Sequence, residues 1–184
     1  MNATADLRSE HVGVGRMLDI MDAMAERARA AEPLDAHDLA DTVEFLRVFV
    51  DRCHHTKEEE LLFPAIRAEG ILSAEETIVV LLAEHTQGRA AVALISSAAE
   101  RVAHDRESAS SELSTAIPGY TRLLRDHIRR EESDCFDVAD RELPGDVQDS
   151  LVEGYDRIER DVVGHGVHEA FHALLDRLAL TYLA

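Results

Sequence analysis

Two runs of this sequence place a histidine and a glutamate four residues apart, which is the spacing of a metal-binding pair on a helix. Residues four apart lie one above the other on one helix face, so each pair can offer an imidazole and a carboxylate to a single point. The runs are C-H-H-T-K-E-E-E-L-L-F-P over residues 53–64 and H-I-R-R-E-E-S-D-C-F over residues 127–136. Such a mixed ligand set suits iron, manganese or zinc.

The first run allows two registers, His54–Glu58 or His55–Glu59. In the second run the histidine lies nine residues before a phenylalanine, and in the first run only His54 has that spacing. The comparison selects His54–Glu58 and sets His55 opposite the apolar Ile128. We therefore predict that His55 and Glu59 support the ligands from outside or face solvent.

Two further histidines divide the chain into similar halves. Each follows a glutamate, in Glu10-His11 and Glu84-His85, and each precedes the histidine of a His–Glu pair, by 43 residues for His54 and by 42 for His127. Halves of matched spacing predict pseudo-two-fold symmetry. At a helical rise of roughly 1.5 Å per residue, the length from one ligand to the intervening turn matches the length from that turn to the next ligand within roughly 3 Å. We therefore expect all four histidines to face inward at one level.

Apolar stripes and capping signals predict an all-α fold, with an antiparallel up-down four-helix bundle over residues 1–143. Glycine and proline are few, and good helix formers abound. Residues 144–184 are predicted to be a C-terminal helical extension packed on the bundle and broken near Gly164–Gly166. The bundle helices are predicted from Thr4 or Asp6 to about Ala31, from Asp35 to about Glu69, from a capping box at Ser73–Glu76, and from Glu107–Ser114 to about Leu143 with a disturbance at Pro118–Gly119.

The composition narrows the possible partners and compartment. A formal net charge of −18 disfavours nucleic acid and anionic membranes as partners. Two cysteines, Cys53 and Cys135, make no disulfide framework and fit a reducing compartment. The N-terminus shows no secretion signal, and no uninterrupted apolar run approaches the roughly 20 residues of a membrane span. We expect a cytoplasmic protein in which Cys135 is a buried, inert thiol on the inner face of its helix, with approach to the metal as the alternative, and in which Cys53 has no evident partner.

Four imidazoles and two carboxylates inside an apolar bundle are hard to explain without a metal, because a buried unpaired carboxylate is costly. Helical bundles hold di-iron and di-manganese sites in this way. Two metals, with two histidines each and two glutamates free to bridge, account for the layer, and a paired redox site favours iron. We predict two iron ions with an oxo or hydroxo bridge, leaving positions open to a small gaseous or peroxide ligand.

These motifs together resemble the hemerythrin-like, or HHE cation-binding, domain. The resemblance rests on His11, H-H-T-K-E-E-E-L-L-F-P, Glu84-His85 and H-I-R-R-E-E, and it covers about residues 4–143. It implies a four-helix bundle with a non-haem di-iron centre bound by the residues at the family's ligand positions. Those residues are His11, His54, Glu58, His85, His127 and Glu131.

Two positions depart from the oxygen carriers of that family. The carriers have a further histidine where this chain has Arg89, and they end in His-x4-Asp where this chain has His127-x3-Glu131. The four-His, two-Glu set is closer to bacterial iron-centre repair proteins. The sequence therefore favours reaction with dioxygen, nitric oxide or peroxide over reversible carriage. A non-enzymatic iron or oxygen sensor and an iron donor for cluster repair are the alternatives.

The C-terminal extension holds three more histidines, His165, His168 and His172, of which the last two have metal-ligand spacing. The favoured interpretation is an amphipathic helix that covers the bundle. The alternative is a lid that gates the site or adds a ligand such as Tyr155 or Glu159.

Overall fold

The computed structural model describes residues 2–164 and 166–184, without the side chains of residues 162, 163 and 168. Over these residues every regular element is helical and no strand occurs. A 3-10 turn lies at Leu72–Ala74. The α-helices are α1 (Thr4–Arg29), α2 (Ala36–Phe45), α3 (Phe63–Ala68), α4 (Glu75–Arg101), α5 (Arg106–Arg130), α6 (Asp137–Glu142), α7 (Gly145–Ile158) and α8 (Val167–Tyr182).

The described chain contains four π-helical segments, and the first three join α-helices into longer rods. The four segments lie at Leu46–His55, Glu58–Leu62, Glu131–Phe136 and Glu159–Val163. The first two make residues 36–68 one uninterrupted helix, and the third does the same for residues 106–142. A π turn closes i→i+5 hydrogen bonds and therefore holds more residues than an α turn. Such segments are frequent at functional sites, and three of the four contain or flank the predicted ligands.

The predicted ends of the second rod are confirmed. The side chain of Asp35 accepts hydrogen bonds from the backbone N–H groups of His37 and Asp38, as an N-cap residue should. Gly70, just beyond the last turn, has φ of 69°, a left-handed conformation that glycine adopts at little cost.

Two local predictions are wrong. No side chain caps α4, because Ser73 lies within the 3-10 turn that buries Ala74, and α4 begins only after it. The helix also continues through Pro118. Proline cannot donate to the carbonyl four residues earlier, but the carbonyl oxygen of that residue, Ser114, accepts instead from the guanidinium of Arg29 at 3.4 Å. Continuity of α5 is thereby kept at the cost of one backbone bond.

The predicted ligands lie between two apolar cores. The first core is formed by buried apolar residues of α1, α2, α4, α5 and α8. The second is formed by those of the start of α1, of α3, of the start of α4, and of α6 and α7. On each of the four rods the ligand positions fall where one core ends and the other begins. The bounding residues are Val14 and Leu7, Val50 and Leu62, Val92 and Leu81, and Leu124 and Cys135.

The C-terminal helices pack on both cores. Tyr155 of α7 is buried in the second core, and the ring of Phe171 on α8 makes an edge contact with Phe45 at 5.3 Å between centroids. The hydroxyl of Tyr182 donates to Asp38 at 2.9 Å. The predicted break holds, with φ of 92° at Gly164 and 81° at Gly166.

Of the three histidines predicted as a possible ligand group in this extension, His172 is exposed on α8. His165 and the side chain of His168 lie outside the described residues. The predicted His168–His172 pair is therefore not tested.

One helical stretch in the described part of the chain, Leu72–Arg101, is long and apolar enough to cross a bilayer by length and composition alone. The sequence-based expectation had not identified it, because charged residues interrupt the run. A single such helix is weak evidence for a membrane span, since core helices of soluble proteins have the same composition. Here its buried face carries His85 toward the other ligands, and it packs on α5.

Candidate metal centre

The structure brings all six predicted ligands into one buried layer. The Nε2 atoms of His11 and His54 lie 3.0 Å apart, and those of His85 and His127 lie 3.3 Å apart. Each side chain is at most 5% exposed. Four ring nitrogens that face one another in pairs, inside an apolar protein, form a cluster of electron-pair donors rather than a solvated surface.

The two glutamates lie between the pairs of histidines. The carboxylate of Glu58 places Oε1 3.2 Å from His54 Nε2 and Oε2 3.4 Å from His85 Nε2. Oε2 of Glu131 lies 3.3 Å from Nε2 of His11 and 3.5 Å from that of His127. Both carboxylates therefore span the layer, as bridging ligands of two ions would.

Of the two places predicted for His55, the solvent-facing one is excluded and the supporting one is not tested. His55 is buried rather than exposed, its ring stacks on that of His85 at 3.9 Å, and its Nε2 has no hydrogen-bond partner among the described residues. The cause is the π segment over Leu46–His55. A wider turn advances each residue by a smaller angle than an α-helix does, so His54 and the residue after it both face inward. A register argument that assumes α geometry cannot find His55.

The donors form two groups, each with its ligand atoms within 4.8 Å of one another, and Glu58 belongs to both. The pseudo-symmetry is broken at one position, because the counterpart of His55 in the second half is the apolar Ile128. Arg89, where the oxygen carriers have a further histidine, points instead to an ion pair with Asp51 at 2.7 Å. The first group is His11, His54, Glu58 and Glu131, and the second is His55, Glu58, His85 and His127.

A carboxylate holds the outer nitrogen of each of the four predicted histidines. The Nδ1 atoms lie 2.6 to 3.0 Å from these carboxylate oxygens. A proton shared with a carboxylate at Nδ1 leaves the Nε2 lone pair free for a metal, and such partners orient metal-bound imidazoles. The four contacts are His11–Glu132, His54–Glu10, His85–Glu59 and His127–Glu84. Glu59 thus has the supporting position predicted for it.

The outer carboxylates repeat the two-fold pattern of the sequence. Glu10 and Glu84, which precede the first histidine of each half, both support the later histidine of their own half. Each also pairs with a cation, Glu10 with Lys57 and Glu84 with Arg130. These cations occupy equivalent positions, three residues after His54 and His127. They differ in burial, since the side chain of Lys57 is 0% exposed and that of Arg130 is 35% exposed.

Charge around the layer separates carboxylates that stay ionised from one that resists ionisation. Burial opposes ionisation of Glu10, but hydrogen bonding and the positive charges of His54 and Lys57 prevail and lower its pKa to about 2. Burial, reinforced by the neighbouring charge of Glu131, raises the pKa of Glu58 to about 7. Burial and the charge of His85 lower the pKa of His55, which keeps its ring neutral, as a metal ligand must be.

The residues fit a metal pair on evidence in the structure itself. Among the described residues, both oxygens of Glu58 and both of Glu131 lack a hydrogen-bond partner, although imidazole nitrogens lie within 3.5 Å. Atoms this close, but not aligned for hydrogen bonds, are arranged around a point between them. Unpaired buried carboxylates cost several kcal/mol, roughly 2–7 even for a neutral polar group, and cations at these points would remove that cost.

The two thiols are buried and free, as predicted for Cys135. Burial raises the pKa of Cys53 to about 12 and raises that of Cys135 as well, so both stay protonated and unreactive. A third set of donors, Glu10, Cys53 and Glu159, lies close enough for an ion. The ammonium of Lys57 already lies between its two carboxylates, at 2.5 Å from Glu10 and 2.6 Å from Glu159. We therefore assign no metal there.

The buried layer of imidazoles and carboxylates in this helical protein could hold metal ions. The family model for the hemerythrin HHE cation-binding domain matches residues 2–139, and the chain belongs to that family. It is 26% identical over 136 residues to uncharacterised proteins of Mycobacterium bovis and Mycobacterium tuberculosis. The match covers 74% of this chain and 52% of those proteins, so the chain spans about half the length of these relatives. No solved structure matches it significantly.

Proposed function

We propose that this chain is a non-haem di-iron protein that reacts with dioxygen, nitric oxide or peroxide, built as the antiparallel four-helix bundle of its family. The observation that carries the proposal is the sharing of Glu58 between two buried donor groups. A single ion needs only one of these groups. A carboxylate shared by two groups of imidazoles suits two ions held a short distance apart.

An iron pair bound by these residues would supply redox chemistry toward small oxygen- and nitrogen-containing ligands. The protein holds three imidazoles at the second group and two at the first, so the two positions differ in charge and in the room left for a ligand. The carboxylates at Nδ1 fix the rings and accept positive charge that develops on them. The apolar cores above and below exclude bulk water, which strengthens every electrostatic interaction in the layer.

A sensor is the second candidate, and one contact favours it. Glu159, in the π segment that follows α7, binds the ammonium of Lys57, which binds Glu10, the partner of His54. The extension is thus joined to a ligand through an unbroken series of charged contacts. A change at the metal would reach the extension through this path, and the bundle would report it without turnover. A cytoplasmic location remains part of the proposal.

Metal analysis after expression in iron-rich medium tests the di-iron proposal. We expect roughly two irons per chain, with His37→Ala as a control because His37 is exposed and remote from the layer. Protein that keeps one zinc, or no metal, would overturn it. Stopped-flow mixing of the reduced protein with each gas and with peroxide then separates turnover from binding. Protection of α7 and α8 from hydrogen exchange that depends on metal, without turnover, would favour the sensor.

A further inference from the structure

A chamber of about 220 Å³ opens beside the second donor group. The imidazoles of His55, His85 and His127 form one wall. Most of the remaining described residues that line the chamber are apolar. None of the described lining residues belongs to the first donor group. These apolar residues include Leu46, Val50, Val92, Tyr120 and Leu124. The chamber therefore gives access to one of the two donor groups and not to the other.

The chamber is larger than a diatomic gas requires. A water molecule has a share of about 30 Å³ in the liquid, and an apolar protein cavity of about 150 Å³ binds benzene. A space of 220 Å³ is therefore large enough for a ring or a short branched chain with one polar group. An apolar space of this size, closed on one side by imidazoles, has the form of a site for a small organic molecule.

Gly88 keeps this space open. It lies in the middle of α4, where glycine costs about 1 kcal/mol relative to alanine. A Cβ atom added there would meet only Cε2 of Tyr120, at 3.9 Å, which is ordinary contact. Helix packing therefore does not require glycine at this position. Any larger side chain at position 88 would project into the chamber, which Gly88 lines.

Most of the charged groups at the edge of the chamber already have a polar or oppositely charged partner within the protein. The guanidinium of Arg89 donates to Asp51 at 2.7 Å and to Glu59 at 2.8 Å. A second cationic residue, Arg47, donates to the hydroxyl of Ser96 at 2.9 Å. Because Arg89 already faces two carboxylates, the entrance does not favour an anionic ligand. The chemistry of the walls favours an uncharged one.

We propose that the chamber binds a small, uncharged, mainly apolar organic molecule about as large as a benzene ring, with an oxygen-bearing end toward His55, His85 and His127. Organic hydroperoxides and the alcohols related to them have this form. The assignment rests on the proposed function and names the substrate class of the same centre. It extends that class beyond gases and hydrogen peroxide.

The test compares two glycine substitutions in helices. Gly88→Leu fills the chamber, whereas Gly119→Leu places the same side chain on the exposed face of α5, where a Cβ meets nothing within 4 Å. Binding of benzyl alcohol is measured by ligand-observed NMR and calorimetry, with iron-loaded and with metal-free protein. We expect the wild type and Gly119→Leu to bind alike and Gly88→Leu to bind at least tenfold more weakly, with unchanged iron content.

A second variant keeps the test valid if Gly88→Leu does not fold. Val92→Phe narrows the chamber from a position two helical turns beyond His85, and it should weaken binding in the same way. Equal binding by the wild type and a folded filling variant would overturn the proposal. If the wild type takes up no iron in iron-rich medium and still binds benzyl alcohol in the chamber, the binding site is retained and the metal centre alone is overturned.

Discussion

Replacement of Lys57 by methionine tests whether the buried charges around the layer stabilise the fold. The ammonium has 0% exposure and lies 2.5 Å from Glu10, whose side chain is 3% exposed. Removal of one partner of a buried ion pair costs about 3–5 kcal/mol, because the other charge stays buried and uncompensated. For a chain of 184 residues, each kcal/mol lowers the melting temperature by roughly 2–4 °C. We therefore expect Lys57→Met to melt roughly 10 °C lower.

The related pair in the other half supplies the control. Arg130→Met removes the cation beside Glu84, but Arg130 is 35% exposed, so water replaces much of the lost interaction and the cost should be about 0–1 kcal/mol. Addition of Glu10→Gln to Lys57→Met should restore much of the stability, since the carboxylate that then lacks the lysine, Glu159, is 41% exposed and solvated. Urea unfolding of the metal-free variants measures all three. A cost for Lys57→Met no larger than that for Arg130→Met would refute the reasoning.

Three further results follow from the layer. His54→Ala and His55→Ala should each lose about one of two irons by metal analysis, since the two rings belong to different donor groups. Full iron content in His55→Ala would show that His55 only supports the ligands. Tyr155→Phe removes a buried hydroxyl that has no hydrogen-bond partner among the described residues. Calorimetry of the metal-free protein should therefore show an unchanged or higher melting temperature, and a lower one would show that the hydroxyl has a partner. Because burial raises the pKa of Glu58 to about 7, the metal-free fold should lose stability relative to Glu58→Gln as pH rises from about 4.5 to 7. A constant difference across that range in urea melts would contradict this.

The sign of the last effect follows from the direction of the shift. Below a pH of about 4.5, the carboxyl of Glu58 is protonated in both the folded and the unfolded chain, and ionisation changes nothing. Above that pH the unfolded chain ionises first, so folding stability falls until the folded carboxyl ionises too. Metal reverses the trend, because ligation requires the deprotonated group and metal affinity therefore rises with pH.

Helical periodicity was sufficient to predict the four ligand-bearing rods and the level at which their ligands meet. His11 and His85 could be placed because each interrupts an apolar stripe, and stripes of α-helical period need no tertiary information. His55 could not be placed, because π segments have no comparable signal in the sequence and they change which residues face inward. The same limit applied to Pro118, whose lost hydrogen bond is replaced by Arg29 from a helix remote in sequence.

The partners of the imidazoles show a different limit. Each half was known to begin with a Glu-His pair, but the role of the glutamate depends on which helix lies beside it. Glu10 supports His54 rather than its own neighbour His11, which Glu132 supports from the other half. Adjacent positions on a helix point about 100° apart. The glutamate and the histidine of one Glu-His pair therefore contact different neighbours.

The exchange of carboxylates between the halves bears on how such a chain could have originated. His11 of the first half relies on Glu132 of the second, and His85 of the second half relies on Glu59 of the first. A single helical hairpin would thus leave one imidazole without support, whereas two identical hairpins related by a dyad would complete each other. Tandem duplication of one ancestral gene, followed by fusion through the loop at Gly70, would give this interlocked arrangement directly. His55 opposite Ile128 then marks one position at which the two copies diverged, and with that divergence the two donor groups ceased to be equivalent.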